Sequence, residues 1–75
     1  MKKQIIKILT EDMELNINKN ENNLIQNKIL DSLAIMNLIG NLEEKFNIEI
    51  DFGDITEENL NSIDDIEKLI TRLKS

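Results

Sequence analysis

The triplet Asp31-Ser32-Leu33 places two polar side chains next to each other at the start of a predicted amphipathic helix. A helix needs only one short polar residue as its N-cap, because one side-chain oxygen can accept from the free N–H groups of the first turn. Asp31 meets that need, and its charge also suits the positive end of the helix dipole. The hydroxyl of Ser32 is therefore not required for capping and is a candidate for chemistry.

The composition restricts what this hydroxyl can do. The 75 residues include no histidine and no cysteine. The chain therefore lacks the usual base that activates a serine nucleophile, the thiol needed for thiol chemistry, and the usual nitrogen and sulfur ligands of zinc. Lys28 lies four residues before Ser32, but nothing in the sequence would keep its amine neutral. We therefore expect a protein that is not an enzyme. A phosphate ester on Ser32 is more plausible, because the N–H groups and the dipole at a helix start stabilise it.

Asparagines before this helix suggest a calcium loop at first sight. Asn16, Asn18 and Asn20 have the alternating spacing of the oxygen ligands in an EF-hand. Such a loop also needs glycine at its sixth position and glutamate at its twelfth, where this chain has Glu21 and Asn27. We therefore predict no metal site.

The charge of the chain is negative and unevenly distributed. Residues 1–30 carry four acids and five bases, whereas residues 31–75 carry eleven acids and four bases, which gives a net charge of −6. Such a field repels nucleic acid and favours partners with basic surfaces. The acids clustered between Glu49 and Glu67 are expected to form a solvated face rather than a catalytic pair.

Length and hydropathy predict one domain over residues 1–75, near the lower size limit for a protein with a single core. The apolar runs are too short to span a membrane, and the start of the chain does not resemble a signal peptide. We expect a cytoplasmic monomer.

The spacing of apolar residues predicts an all-α fold, a small bundle of three main helices and one short helix. The main helices are expected at 2–15, at 32–46 and from the capping box of Ser62 and Asp65 onward, with a single helical turn at 56–61. Six asparagines over residues 16–30 predict a long loop. Residues 47–52 alternate apolar and polar side chains, and we expect an extended segment that buries Ile48, Ile50 and Phe52.

The stretch LDSLAIMNLIGNLEEKFNIEI resembles the acyl carrier proteins and the related aminoacyl and peptidyl carriers. In that family the serine of an Asp-Ser-Leu motif is esterified by 4′-phosphopantetheine, whose terminal thiol carries an acyl group as a thioester. The resemblance extends over the order of the predicted helices along the whole chain. It implies that Ser32 is the attachment site for a phosphopantetheine arm derived from coenzyme A.

The resemblance also implies roles for the neighbouring residues. Asp31 and Leu33 would be recognised by a phosphopantetheinyl transferase, with Asp31 helping to place the magnesium ion of that enzyme. The implied contact residues for partner enzymes are Met36, Gly40, Glu43 and Glu44. Without the resemblance, the alternative role for Leu33 and Met36 is ordinary packing against the core. The alternative for the two glutamates is that they form a solvated helix end.

Departures from the family pattern bear on the subtype. Carriers of fatty acid synthesis usually have glycine before the motif and acids soon after it, whereas here Ile29 and Leu30 precede it and Ala34 and Asn37 follow. This favours a D-alanyl or peptidyl type carrier, or a carrier of a specialised pathway, over one of primary fatty acid synthesis. The loading ligase and the downstream enzymes are implied only as classes. An alternative function from a different class is that of a helical interaction module without a covalently attached group.

Overall fold

A computed structural model describes residues 1–17 and 23–74, which contain helices and no strand. It confirms the predicted all-α bundle of three main helices and one short helix. The elements are α1 (Lys2–Lys7), which continues as a π-helical segment (Ile8–Asp12), then α2 (Ser32–Phe46), a 3₁₀ turn (Phe52–Asp54), α3 (Glu57–Leu60) and α4 (Ile63–Lys74). None of the helices in the described ranges is long and apolar enough to cross a membrane.

The core is built almost entirely from isoleucine and leucine, with Phe46 as its one buried aromatic side chain among the described residues. Each main helix contributes one buried face, because its apolar residues recur at spacings of three and four. Leu24 and Leu30, from the loop before α2, are also buried. The part of that loop from 23 to 30 is therefore anchored in the same core as the helices.

The first helix is shorter than the predicted 2–15. After Lys7 the turns widen, and the N–H of Met13 donates to the carbonyl of Ile8 at 2.9 Å, which is the spacing of a π-helix. Glu14 then adopts a left-handed conformation with φ 56°, which a right-handed helix cannot contain. Met13 and Leu15 still pack against the core. The apolar spacing thus identified the buried side chains correctly but not where the helix ends.

The second helix has the predicted bounds, 32–46. Leu38, Ile39, Leu42 and Phe46 are buried, and Ile35 is partly buried. The helix ends where Asn47 takes the left-handed conformation with φ 53°, a common way to terminate a helix.

The segment after α2 buries less than expected. Ile50 is buried and Ile48 is half-buried, but the side chain of Phe52 is 89% exposed, so its predicted burial is wrong. The physical reason is the 3₁₀ turn, in which the N–H of Asp54 donates to the carbonyl of Asp51 at 2.9 Å. The turn ends the alternation of an extended chain, so Phe52 no longer points to the side that Ile48 and Ile50 occupy.

Side-chain caps mark the starts of the last two helices. The Thr56 hydroxyl accepts from the N–H of Asn59 at 3.2 Å, and the Ser62 hydroxyl accepts from the N–H of Asp65 at 3.0 Å. The second contact is the one expected for a cap at Ser62. The fourth helix packs against both α1 and α3.

An ion pair between Lys2 and Asp64 joins the beginnings of α1 and α4. A hydrogen bond and the charge of Lys2 lower the pKa of Asp64 below its ordinary value, and the same contact raises the pKa of Lys2. Because the folded carboxyl has the lower pKa, its contribution to stability is present above the unfolded pKa and is lost as the pH falls through the folded one. Both side chains are exposed to solvent, so the contribution of the ion pair to stability is small.

We expect Lys2→Ala to return the pKa of Asp64 toward the ordinary aspartate range. A titration of the side-chain carboxyl carbons by NMR measures this directly. The matched control is Lys3→Ala, which removes an exposed charge one residue away. An Asp64 midpoint that stays low in Lys2→Ala, or moves equally in Lys3→Ala, would contradict the ion pair.

Candidate functional site

Asn61, which lies between α3 and α4, holds the loop before α2 in place. The N–H of Leu24 donates to the backbone carbonyl of Asn61 at 2.8 Å, and the N–H of Ile25 donates to its side-chain Oδ1 at 2.9 Å. The carbonyl of Leu24 in turn accepts from the N–H groups of Ile29 and Leu30 at 2.9 and 3.0 Å. Sequence reasoning missed Asn61, because an asparagine between two helices carries no signal for a contact with a loop 36 residues away.

The chain turns sharply just before the Asp-Ser-Leu triplet. Lys28 has φ 61°, in the left-handed region that costs a residue other than glycine about 1 kcal/mol. Leu30 follows as a buried anchor, only 2% exposed. The backbone of Asp31 is then extended, and α2 begins at the next residue. The position of Ser32 is therefore fixed from both sides, by the anchored loop and by the helix.

Asp31 is the N-cap of α2, as predicted. Its Oδ1 accepts from the N–H of Ala34 at 2.8 Å, and its carbonyl accepts from the N–H of Ile35 at 2.9 Å. The N–H groups of Ala34 and Ile35 are the first in the helix to have these acceptors. The N–H groups of Ser32 and Leu33 therefore lie before the hydrogen-bonded part of the helix. Because Asp31 caps the helix, the Ser32 hydroxyl is free of that task. Ser32 is itself exposed to solvent.

The outer face of α2 begins with apolar side chains. Leu33 is 73% exposed and Met36 is 61% exposed, so the alternative of ordinary packing does not apply to either. A side chain added at Gly40 would meet no atom within 4 Å, which means that the glycine is not required by any contact within the described chain. The first turn of the helix contains no acidic residue. Apart from the cap residue Asp31, this face is therefore apolar near Ser32, and its other acids lie toward its far end.

A groove runs between the π-helical segment and the outer face of α2. Its volume is about 550 Å³, and it is open to solvent rather than enclosed by the core. It is lined by Asp12, Met13 and Leu15 on one side and by Ala34, Met36, Asn37, Gly40, Asn41 and Glu44 on the other. The groove therefore includes three of the predicted contact residues.

The two glutamates near the end of α2 lie in different environments. Glu43 is half-buried, and its Oε2 accepts from the N–H of Ile50 at 2.9 Å, while its backbone carbonyl accepts from the N–H of Ile48 at 3.2 Å. Glu43 thus holds the segment that follows the helix. Glu44 is exposed and borders the groove. Of the pair, Glu44 is the more exposed residue.

Metal-binding residues are not clustered in the part of the chain that the structure describes: no group of three or more acidic, histidine or cysteine residues could hold an ion there. Part of the EF-hand spacing considered from the sequence, namely Asn18, Asn20 and Glu21, lies outside the described residues. Asn16 and Asn27 are exposed.

Comparison with protein families gives one result that bears on this geometry. A family model described as "phosphopantetheine attachment site" matches residues 3–70, which is most of the chain. The comparisons with curated proteins and with solved structures find no match.

The different environments of the two glutamates lead to a stability test. We expect Glu43→Ala to lower the free energy of unfolding by about 1–3 kcal/mol, because the N–H of Ile50 loses an ionised acceptor in a partly buried place. Glu44→Ala, the matched control one residue along, should change it by less than about 0.5 kcal/mol. Urea unfolding followed by circular dichroism measures both. Equal effects of the two substitutions would show that the contact between Glu43 and Ile50 is unimportant.

Proposed function

Because the chain belongs to the phosphopantetheine attachment site family, whose domain carries 4′-phosphopantetheine covalently, we propose that Ser32 is the residue to which this group is attached. The supporting observation is the position of Ser32. It is exposed, it is the first residue of α2, and its neighbour Asp31 already supplies the cap. The described part of the chain holds two further serine or threonine residues at helix starts, Thr56 and Ser62, and both hydroxyls act as caps.

The residues around Ser32 fit a phosphodiester. The N–H groups of Ser32 and Leu33 lie at the positive end of a helix of 15 residues, where a negative group is stabilised. The proposal needs no channel through the core, because the serine already faces solvent. When attached, the group supplies a thiol that forms a thioester, which this chain could not form with its own residues because it has no cysteine.

The chain is thus a phosphopantetheine-carrying carrier protein, and domains of this kind are generally not catalytic. We propose that it performs no catalysis itself and delivers an acyl or aminoacyl group to partner enzymes. The acid-free first turn of α2, together with the exposed Leu33 and Met36, supports a D-alanyl or peptidyl type carrier or a specialised acyl carrier. A carrier of primary fatty acid synthesis is the alternative within the family. A cytoplasmic location and a monomeric state are part of the same proposal.

Carrier proteins interact with a phosphopantetheinyl transferase and with partner enzymes. For this chain we propose that the transferase contacts Asp31 and Leu33 beside the hydroxyl that it modifies. The exposed side chain of Leu33 offers an apolar contact, and the carboxylate of Asp31 keeps one oxygen that the cap does not use. That second oxygen is the atom available to help position the magnesium ion of the transferase.

The proposed partner face continues along α2 through Met36, Gly40 and Glu44. Gly40 supports the proposal because a glycine inside a helix costs roughly 1 kcal/mol relative to alanine, and no contact within the described chain requires it. A partner surface that approaches the helix backbone closely would explain its presence. Glu43 remains a proposed contact through its exposed part, in addition to its bond to Ile50.

Attachment to Ser32 is tested by intact mass. After incubation with coenzyme A, magnesium and a broad-specificity phosphopantetheinyl transferase, the wild-type chain should gain the mass of one phosphopantetheine and Ser32→Ala should gain none. The variant should unfold at the same temperature as the wild type, because Asp31 rather than Ser32 caps the helix. An unmodified wild type would favour the alternative of a helical interaction module, and a modified Ser32→Ala would place the group on another residue.

Two substitutions at Asp31 separate its cap from its proposed contact with the transferase. Asp31→Ala should lower stability by about 1 kcal/mol through loss of the cap, whereas Asp31→Asn should keep most of the stability because asparagine caps equally well. If the charge helps to place magnesium, both variants should be modified more slowly than the wild type. Thermal unfolding and initial rates of mass gain measure the two effects. Modification of Asp31→Asn at the wild-type rate would limit Asp31 to capping.

A further inference from the structure

Phe52 is the most exposed of the large hydrophobic side chains that the structure describes, at 89%. The others are Met1 at the chain start and Leu33 and Met36 on α2. None of the roles considered above involves Phe52. An aromatic side chain that is almost fully exposed contributes nothing to the core, and it is the kind of side chain that contributes most to binding at protein interfaces.

The backbone that presents Phe52 is held in place. In the 3₁₀ turn its carbonyl accepts from the N–H of Ile55 at 3.1 Å. The carboxylate of Asp54 pairs with Arg72 at 3.2 Å, and the carbonyl of Asp54 accepts from the side-chain amide of Asn59 at 2.9 Å. The turn is therefore connected to α3 and to α4. A side chain displayed on a prearranged backbone loses less conformational freedom when it binds.

The turn that carries Phe52 is linked by contacts to the end of α2 that lies away from Ser32. Arg72, which pairs with Asp54, is near the end of α4, and Lys74 at that end donates to the carbonyl of Phe46, the last residue of α2. The 15 residues of α2 separate this end from Ser32 by about 20 Å along the helix axis. A surface around Phe52 is thus separate from the face near Ser32, Leu33 and Met36.

Acidic residues surround Phe52 along the chain. Residues 49–58 contain five acids and no base. Asp54 is paired with Arg72, while the other four are exposed: Glu49, Asp51, Glu57 and Glu58. We call Phe52 and these four residues the Phe52 surface. Its charge would oppose a symmetric contact between two copies, because the same acids would face each other.

We propose that the Phe52 surface docks a partner protein that receives the phenyl ring in an apolar pocket rimmed by lysine and arginine. The ring supplies the buried contact, and the four carboxylates attract and orient the basic rim. The proposal does not depend on where phosphopantetheine is attached. It implies that such a partner holds the carrier at the end distant from the face that begins at Ser32, and leaves that face accessible.

The test combines site-specific cross-linking with binding measurements on purified proteins. The photoreactive residue benzoylphenylalanine is placed at position 52 of the full chain, or at exposed Gln4 on α1 as a control, in the cells that produce the protein. The protein captured from position 52 is identified by mass spectrometry and purified. Its affinity is then measured by calorimetry for the wild type and for Phe52→Ser, Asp51→Lys and Glu11→Lys.

We expect capture from position 52 and not from position 4, and affinities at least about tenfold weaker for Phe52→Ser and Asp51→Lys. Glu11→Lys makes the same change of net charge at an exposed residue of the π-helical segment, so it should bind like the wild type. No capture, equal capture from both positions, a cross-linked dimer of the chain, or an affinity insensitive to Phe52 would each overturn the proposal. Mass gain with coenzyme A and the transferase, measured on Phe52→Ser, reports independently on folding and on attachment.

Discussion

The contacts that Asn61 makes with Leu24 and Ile25 hold the structure around Ser32 together. They tie the loop before α2 to the junction between α3 and α4, so that two parts of the chain that are far apart in sequence meet at one place. Without this tie, the described part of the connection between the first two helices would be held by apolar side chains, chiefly the buried Leu24 and Leu30. With it, the start of α2 has a defined position on the core. A hydroxyl on a fixed helix start can serve as the attachment point of a long arm, because only the arm then moves.

On α2 and its cap, residues with a structural contact stand next to residues that are exposed to solvent. Asp31 uses one carboxylate oxygen for the cap, which leaves the adjacent Ser32 hydroxyl free. Glu43 holds the segment after α2, which leaves the neighbouring Glu44 exposed. In both pairs, the first side chain accepts a hydrogen bond from the backbone and the next residue faces solvent. This arrangement suits a small carrier protein, a class that interacts with a phosphopantetheinyl transferase and with partner enzymes, because side chains stay available at the surface while the core is of modest size.

Much of the fold followed from the order of apolar residues. The bounds of α2, the cap by Asp31, the short helix near 57–60 and the cap at Ser62 were all predicted, because each depends on residues within about one helical turn. The end of the first helix and the exposure of Phe52 were not. Apolar spacing reports which side chains can face a core, but a π-helical segment and a 3₁₀ turn change the direction of the chain without changing that spacing.

By itself, the sequence determined the helical class, the candidate hydroxyl at Ser32 and the absence of histidine and cysteine, since these follow from composition and local pattern. Only the tertiary structure decided which of the polar residues are engaged. It assigned Asn61 to the loop and Glu43 to Ile50, and it placed Phe52 in solvent at the end distant from Ser32. The physical reason is that a hydrogen bond or a burial depends on what lies nearby in space. For Asn61 that neighbour is 36 residues away along the chain.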